Sequence, residues 1–160
     1  MAIEDTFHGA KNAFALLQAY FNAVAQEIGM DRAVALDTKV CEAMGAMQGK
    51  MMKEQARREE FDAKAAASMA LNSIREGFGI TSEVIEESPQ RVVVKVGRCP
   101  VYEAAQALGK DAEAIEAECR ATSIRFMDAM VKQLNPKVSY QLREFRSAPD
   151  DFCEEEIFLG

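Results

Sequence analysis

Four side chains hold most of the chemical possibilities of this chain: Cys99, Cys119, Cys153 and Glu155. The thiols are far apart in sequence, so their chemistry depends on whether the fold brings them together. Three thiolates with an open fourth position would suit zinc and an activated water. Zinc ligands usually come in short pairs, and no paired CxxC is present. Three readings stay open: buried free thiols, a thiol-lined substrate pocket, or a metal site using Cys99, Cys119 and Cys153. Cys41, in a Met-rich helical stretch, reads as a small hydrophobe. The single histidine, His8, lies near an end that would fray, whereas a serine or cysteine triad needs a base held within hydrogen-bond reach. A glycine-rich phosphate loop and a Walker signature are both absent.

Spacing within elements refines these candidates. Turning a helix through about 100° per residue puts Ile115, Ser123, Phe126 and Met130 on the side of Cys119. Ser123 then stands one turn from Cys119, while Asp128 points away and is a poor catalytic candidate. In the last strand Cys153, Glu155, Ile157 and Leu159 share one face, and Phe152, Glu154, Glu156 and Phe158 share the other. With the Cys153 face inward, Glu155 is a buried carboxyl with a raised pKa, suited to general acid or base work. With that face outward, it belongs to a solvated acidic run. Arg98, beside Cys99, and Arg120, beside Cys119, are candidate clamps for a substrate carboxylate, because a guanidinium fork donates two parallel hydrogen bonds. Their plain alternative is a snorkelling surface arginine. Arg143 alternates away from Val138, Tyr140 and Leu142.

The elements that must position these groups follow from hydrophobic periodicity. Phe14, Leu17, Phe21, Val24 and Ile28 form one stripe of a helix ended by Gly29. Asp31 can cap a second helix running to about Arg57, with Val40, Met44, Met47 and Met51 expected in the core. Gly45 and Gly49, one turn apart, predict close approach to another helix. A third, alanine-rich helix runs from about Glu59 to Phe78, closed by Gly77 and Gly79. The period then changes to two. Ile80–Glu87 and Arg91–Arg98 read as strands around Ser88-Pro89-Gln90. Pro100 starts a short helix through Leu108, and Asp111 caps a long one to about Leu134. Val138–Phe145 and Phe152–Leu159 form a second hairpin. The expected fold is α+β: N-terminal helices, then a four-stranded, largely antiparallel sheet with a short and a long helix between its hairpins. One domain over 1–160 is expected, helical over 1–79 and sheet-and-helix over 80–160.

Composition excludes several function classes. At 160 residues and 49% apolar, the chain can build a core without disulfide or metal staples. Its formal charge of −7 disfavours a phosphate-backbone binder, and Arg57-Arg58 and Arg143/Arg146 are scattered, so nucleic acid is not an expected partner. No apolar run approaches the roughly 20 residues of a membrane span, so no membrane partner is expected either. The start Met1-Ala2-Ile3-Glu4-Asp5 is acidic where a signal peptide would be basic. A cytoplasmic location, with cysteines kept reduced, is the expectation.

The segment Arg98-Cys99-Pro100-Val101-Tyr102-Glu103-Ala104, the helix carrying Cys119, Asn135-Pro136-Lys137 and Phe152-Cys153-Glu154 occur in an order that resembles the L-2-amino-thiazoline-4-carboxylic acid hydrolase family. Ile28-Gly29-Met30-Asp31-Arg32-Ala33, followed by the Gly45/Gly49 helix, extends the likeness over roughly residues 14 to 159. A more distant likeness is to 4-vinyl reductase domains, small ligand-binding modules. The first resemblance implies hydrolytic opening of a cyclic amidine-like C=N bond in a small amino-acid-derived ring. It implies catalytic roles among Cys99, Cys119, Cys153 and Glu155, and substrate contacts from Arg98, Tyr102, Arg120 and Ser123. A divalent metal such as zinc is the cofactor to test. A non-catalytic ligand- or metal-binding module on the same fold is the alternative. A helical interaction protein is the third reading, and the Gly-spaced helix also suggests a homodimer through the N-terminal helices.

Overall fold

The computed structural model describes residues 2–56 and 59–160. Arg57 and Arg58, the basic pair at the expected end of the second helix, lie outside the described residues, as does Met1. Six helices and four strands are formed among the described residues: α1 (Ile3–Ile28), α2 (Met30–Ala56), α3 (Ala63–Phe78), β1 (Ser82–Glu87), β2 (Arg91–Val96), α4 (Pro100–Ala107), α5 (Ala112–Ala121), α6 (Ser123–Leu134), β3 (Val138–Glu144) and β4 (Cys153–Leu159). This is the expected α+β arrangement.

α1 begins at Ile3, well before its apolar stripe, and buries Phe7 as well as Phe21. Gly29, at φ 88°, alone separates it from α2, a conformation open chiefly to glycine. Asp31 therefore sits inside the first turn of α2, where its charge favours the helix dipole, and does not cap it. Asp62 caps α3 by accepting a hydrogen bond from the Ala65 amide at 2.8 Å. Ala63, Ala66, Ala67 and Ala70 make the buried face of α3 flat enough to lie close over the sheet. Asp111 caps α5 through the Ala114 amide at 2.9 Å.

Two further expectations require correction. The long helix from Asp111 to Leu134 is broken at Thr122, whose φ and ψ are −125° and −73°. The Thr122 hydroxyl bonds back to the Glu118 carbonyl at 2.7 Å, and Thr38 from α2 donates to the Ala121 carbonyl at 2.7 Å. Both contacts draw carbonyls out of the helical ladder, a known cause of bending. The methionine stripe is not core: Val40, Met44, Met47 and Met51 are each about half exposed. α2 instead turns Gly45 and Gly49 inward. A Cβ at Gly45 would run into the Phe126 carbonyl of α6, and one at Gly49 into that of Met130. The expected close approach is made, and it fixes the methionines on the far side.

The sheet order is β1-β2-β4-β3, with every neighbouring pair antiparallel. β4 is thus central, between β2 and β3. Val96 faces Cys153, Val94 and Leu142 flank Glu155, and Val92 and Tyr140 flank Ile157. This face packs on α3 and α6 in one core that includes Met130, Val131, Leu134 and Ile74. No described helix is long and apolar enough to cross a membrane.

Candidate functional site

The Cys153 face of β4 turns inward. Cys153 and Ile157 are buried, and Glu155 between them is 9% exposed. Alternation places these residues together; strand order decides that they meet the core. Burial raises the Glu155 carboxyl to a pKa of about 7. A hydrogen bond from Tyr140 and the charge of Arg146 pull the other way. The Tyr140 phenol donates to Glu155 Oε2, from the neighbouring strand one pair along. Burial, then the Glu155 charge, hold the Tyr140 phenol well above its ordinary value, so it stays a donor.

Arg146, just beyond β3, is the buried cation of this region at 2% exposure. Its Nε donates to Cys153 Sγ at 3.3 Å, Nη1 to the Asp151 carbonyl at 3.2 Å, and Nη2 to the Val96 and Gly97 carbonyls. The guanidinium lies 5.4 Å from the centre of the Tyr102 ring. Tyr102, buried on α4, in turn packs against Phe145 at 5.9 Å. The arginine ties the ends of β2, β3 and β4 together at the place where α4 begins.

Cys99 precedes α4 at its N-cap, and Cys119 lies near the end of α5. Cys119 makes a hydrogen bond with Ser123 across the α5–α6 break. Burial pushes the Cys119 thiol well up, reinforced by Glu155, Cys99 and Cys153. Burial also raises Cys99, with Arg146 opposing and Cys153 adding to the rise. Cys153 is raised by burial as well, and Arg146 moderates it by charge and hydrogen bonding. The three sulfurs and the Glu155 carboxyl therefore share one electrostatic neighbourhood. All three thiols favour the protonated state at neutral pH, unlike an activated nucleophile.

A zinc site using Cys99, Cys119 and Cys153 is one of the three readings open for these thiols. Among the described residues no group of three or more His, Cys, Asp or Glu side chains is arranged to hold a metal ion. The Arg146 guanidinium donates a hydrogen bond to Cys153 Sγ. The candidate clamps Arg98 and Arg120 lie on the surface, as their plain alternative has it. Arg98 is exposed and pairs with Glu4 at 3.0 Å and Glu103 at 2.9 Å. Arg120 is held by Glu116 at 2.7 Å and reaches only the Leu142 carbonyl at 3.3 Å. Arg143 pairs with Glu154 at 2.9 Å. Cys41 is partly buried on α2 beside Asp37, and burial with that carboxyl pushes its thiol up to about 12. Asp128 accepts from the Tyr140 amide at 3.0 Å and pins α6 to edge strand β3.

Sequence reasoning missed Tyr140 and Arg146 as site residues. Tyr140 carried a signal, since it shares a strand face with Val138 and Leu142, which are also buried. Arg146 lies in an irregular segment with no period to read. Chemically, the arrangement offers a carboxyl that changes protonation near neutral pH, a phenol donor and a buried positive field beside neutral thiols. Such a set can accept a proton and return it without bulk water.

A family model described as L-2-amino-thiazoline-4-carboxylic acid hydrolase matches residues 8–154. No curated protein matches the chain. Among solved structures, the phenol-responsive sensory domain of the transcription activator PoxR with phenol is similar at TM-score 0.68 and 12% identity, over 91% of this chain and 74% of that one. A trafficking protein particle complex subunit 3 from Naegleria fowleri, covalently bound to palmitic acid, is similar at TM-score 0.59 and 16% identity, over 94% of this chain and 96% of that one. At these identities the likeness is one of fold.

Proposed function

Because the chain belongs to the L-2-amino-thiazoline-4-carboxylic acid hydrolase family, we propose that it opens the cyclic C=N bond of a small, carboxylate-bearing, amino-acid-derived ring with water. The observation that carries this reading is Glu155, a buried carboxyl whose pKa of about 7 suits both taking and giving a proton at neutral pH. Water oxygen bonds to the ring carbon, and its proton passes to the Glu155 carboxylate. That proton goes to the ring nitrogen as C=N becomes C–N; the hydroxyl proton of the adduct then follows through Glu155 to the same nitrogen as its bond to carbon breaks, leaving a carbonyl and an amine. Tyr140 orients Glu155 throughout. Cys99, Cys119 and Cys153 serve as neutral lining with Ser123, and Tyr102 closes the side nearest Arg146. Arg146, in place of Arg98 and Arg120, supplies the positive field that draws the substrate carboxylate inward. The location proposed is cytoplasmic, where the four free thiols stay reduced.

A non-catalytic reading has its own support: both solved structures named above hold a small organic molecule by their descriptions, phenol in one and palmitic acid in the other. In that reading the same residues retain a ligand and release it unchanged. Incubation with 2-amino-thiazoline-4-carboxylate, followed by loss of ring absorbance and by calorimetry, separates the two. Turnover that falls by about 10²-fold or more in a folded Glu155→Gln protein supports hydrolysis. Saturable binding without turnover supports the binding module, and turnover undiminished in Glu155→Gln overturns the role given to the carboxyl.

A further inference from the structure

The outermost helices leave two apolar faces uncovered. α3 and α6 cover the sheet; α2 packs on α6, and α1 packs on α4, α2 and α3. The outer sides of α1 and α2 therefore both point away from the sheet. On α1, Leu16 is 74% and Tyr20 68% exposed, with Leu17 beside them at 50%. On α2, Leu36, Val40, Met44, Met47 and Met51 form a continuous stripe, each about half exposed. Single exposed apolar residues are ordinary, but a stripe on each of two adjacent helices marks an interaction surface.

The charges around the two faces are opposite. Arg32, Lys39 and Lys50 flank one side of the α2 stripe, and none of them is in an ion pair among the described residues; the acids beside the stripe are the exposed Glu54 and, on the opposite flank, the half-buried Asp37. On α1 the exposed Asp5 and Glu27 are likewise outside the ion pairs, while its one lysine, Lys11, is tied to Glu103 at 2.9 Å. An acid-flanked apolar face and a base-flanked apolar face on one molecule are complementary to each other in a second copy.

We propose that two copies of this chain associate about a two-fold axis, α1 of each lying on α2 of the other. The eight side chains named expose on the order of 800 Å², which is what each partner gives up in a standard-sized interface. Gly45 and Gly49 lock the inner side of α2 to α6, so its methionines are held outward and ready to pack. Methionine suits such a contact because its unbranched chain adapts to a facing surface. The two-fold relation repeats the same α1–α2 contact twice.

Sedimentation equilibrium on the full chain tests this, with Leu17→Lys, Met44→Glu and their equimolar mixture as variants. Wild type is expected to dimerise, and each variant alone to raise the dimer dissociation constant at least about tenfold, because it buries an unpaired charge at both contacts. The mixture is expected to recover a dimer, since the lysine introduced on α1 of one chain then faces the glutamate introduced on α2 of the other, while the second contact is unaltered. Both positions are about half exposed, and circular dichroism with thermal melting checks that each variant folds. Three results overturn the proposal: a monomeric wild type, a Leu17→Lys protein that dimerises like wild type, or a mixture that stays monomeric.

Discussion

Tyr140 donates its phenol proton to Glu155 from the adjoining strand, both groups buried on the inward face of the sheet. A paired carboxylate usually titrates low; here desolvation outweighs the hydrogen bond and carries Glu155 to about 7.

This shift makes stability depend on pH. Glu155 titrates near 4.5 when unfolded and about 7 when folded, so the folded state binds the proton more tightly. Its stabilising contribution is complete below about pH 4.5, declines as pH rises, and is lost above about pH 7. Urea unfolding from pH 4 to 8 should show wild type losing on the order of 3 kcal/mol more than Glu155→Gln across that window. Parallel pH profiles for the two proteins would contradict the burial argument.

Tyr140→Phe removes the one side-chain donor that lowers the Glu155 pKa. The carboxyl should then titrate higher, moving the acidic limb of ring opening upward by up to about one pH unit. Turnover at pH 7 should fall about tenfold or more as Glu155 loses its orientation. The pH–rate profile of folded Tyr140→Phe checks both.

Arg146→Met should be among the most destabilising single changes, costing about 3–5 kcal/mol. It leaves the Val96, Gly97 and Asp151 carbonyls without the donors that tie three strand ends together. Arg146→Lys should recover only part of this, because an ammonium lacks the planar fork. Denaturant melts of the two variants measure the order.

Glycine positions on the first two helices should respond with opposite signs. Gly9→Ala, with nothing within 4 Å of the new Cβ, should stabilise by about 0.5–1 kcal/mol through helix propensity. Gly45→Ala gains the same propensity but drives a methyl into the Phe126 backbone, and should destabilise by about 2–4 kcal/mol. Thermal melts of the two variants report the difference directly.

The amino-acid pattern by itself determined the order of helices and hairpins, the helical stretches that end at Phe78 and Leu134, and the company Glu155 keeps along its strand. Those are properties of local period and capping, written in neighbouring residues. Which face of β4 turns inward required the pairing of that strand between β2 and β3, since alternation is symmetric between the two sides. The α2 methionines show the same limit from the helical side. Apolar spacing marked a face but could not rank it against the glycine face, and close packing on the α6 backbone won. Arg146 depended wholly on tertiary structure: its partners are carbonyls from β2, its following loop and the turn before β4, brought to one guanidinium only when the sheet closes.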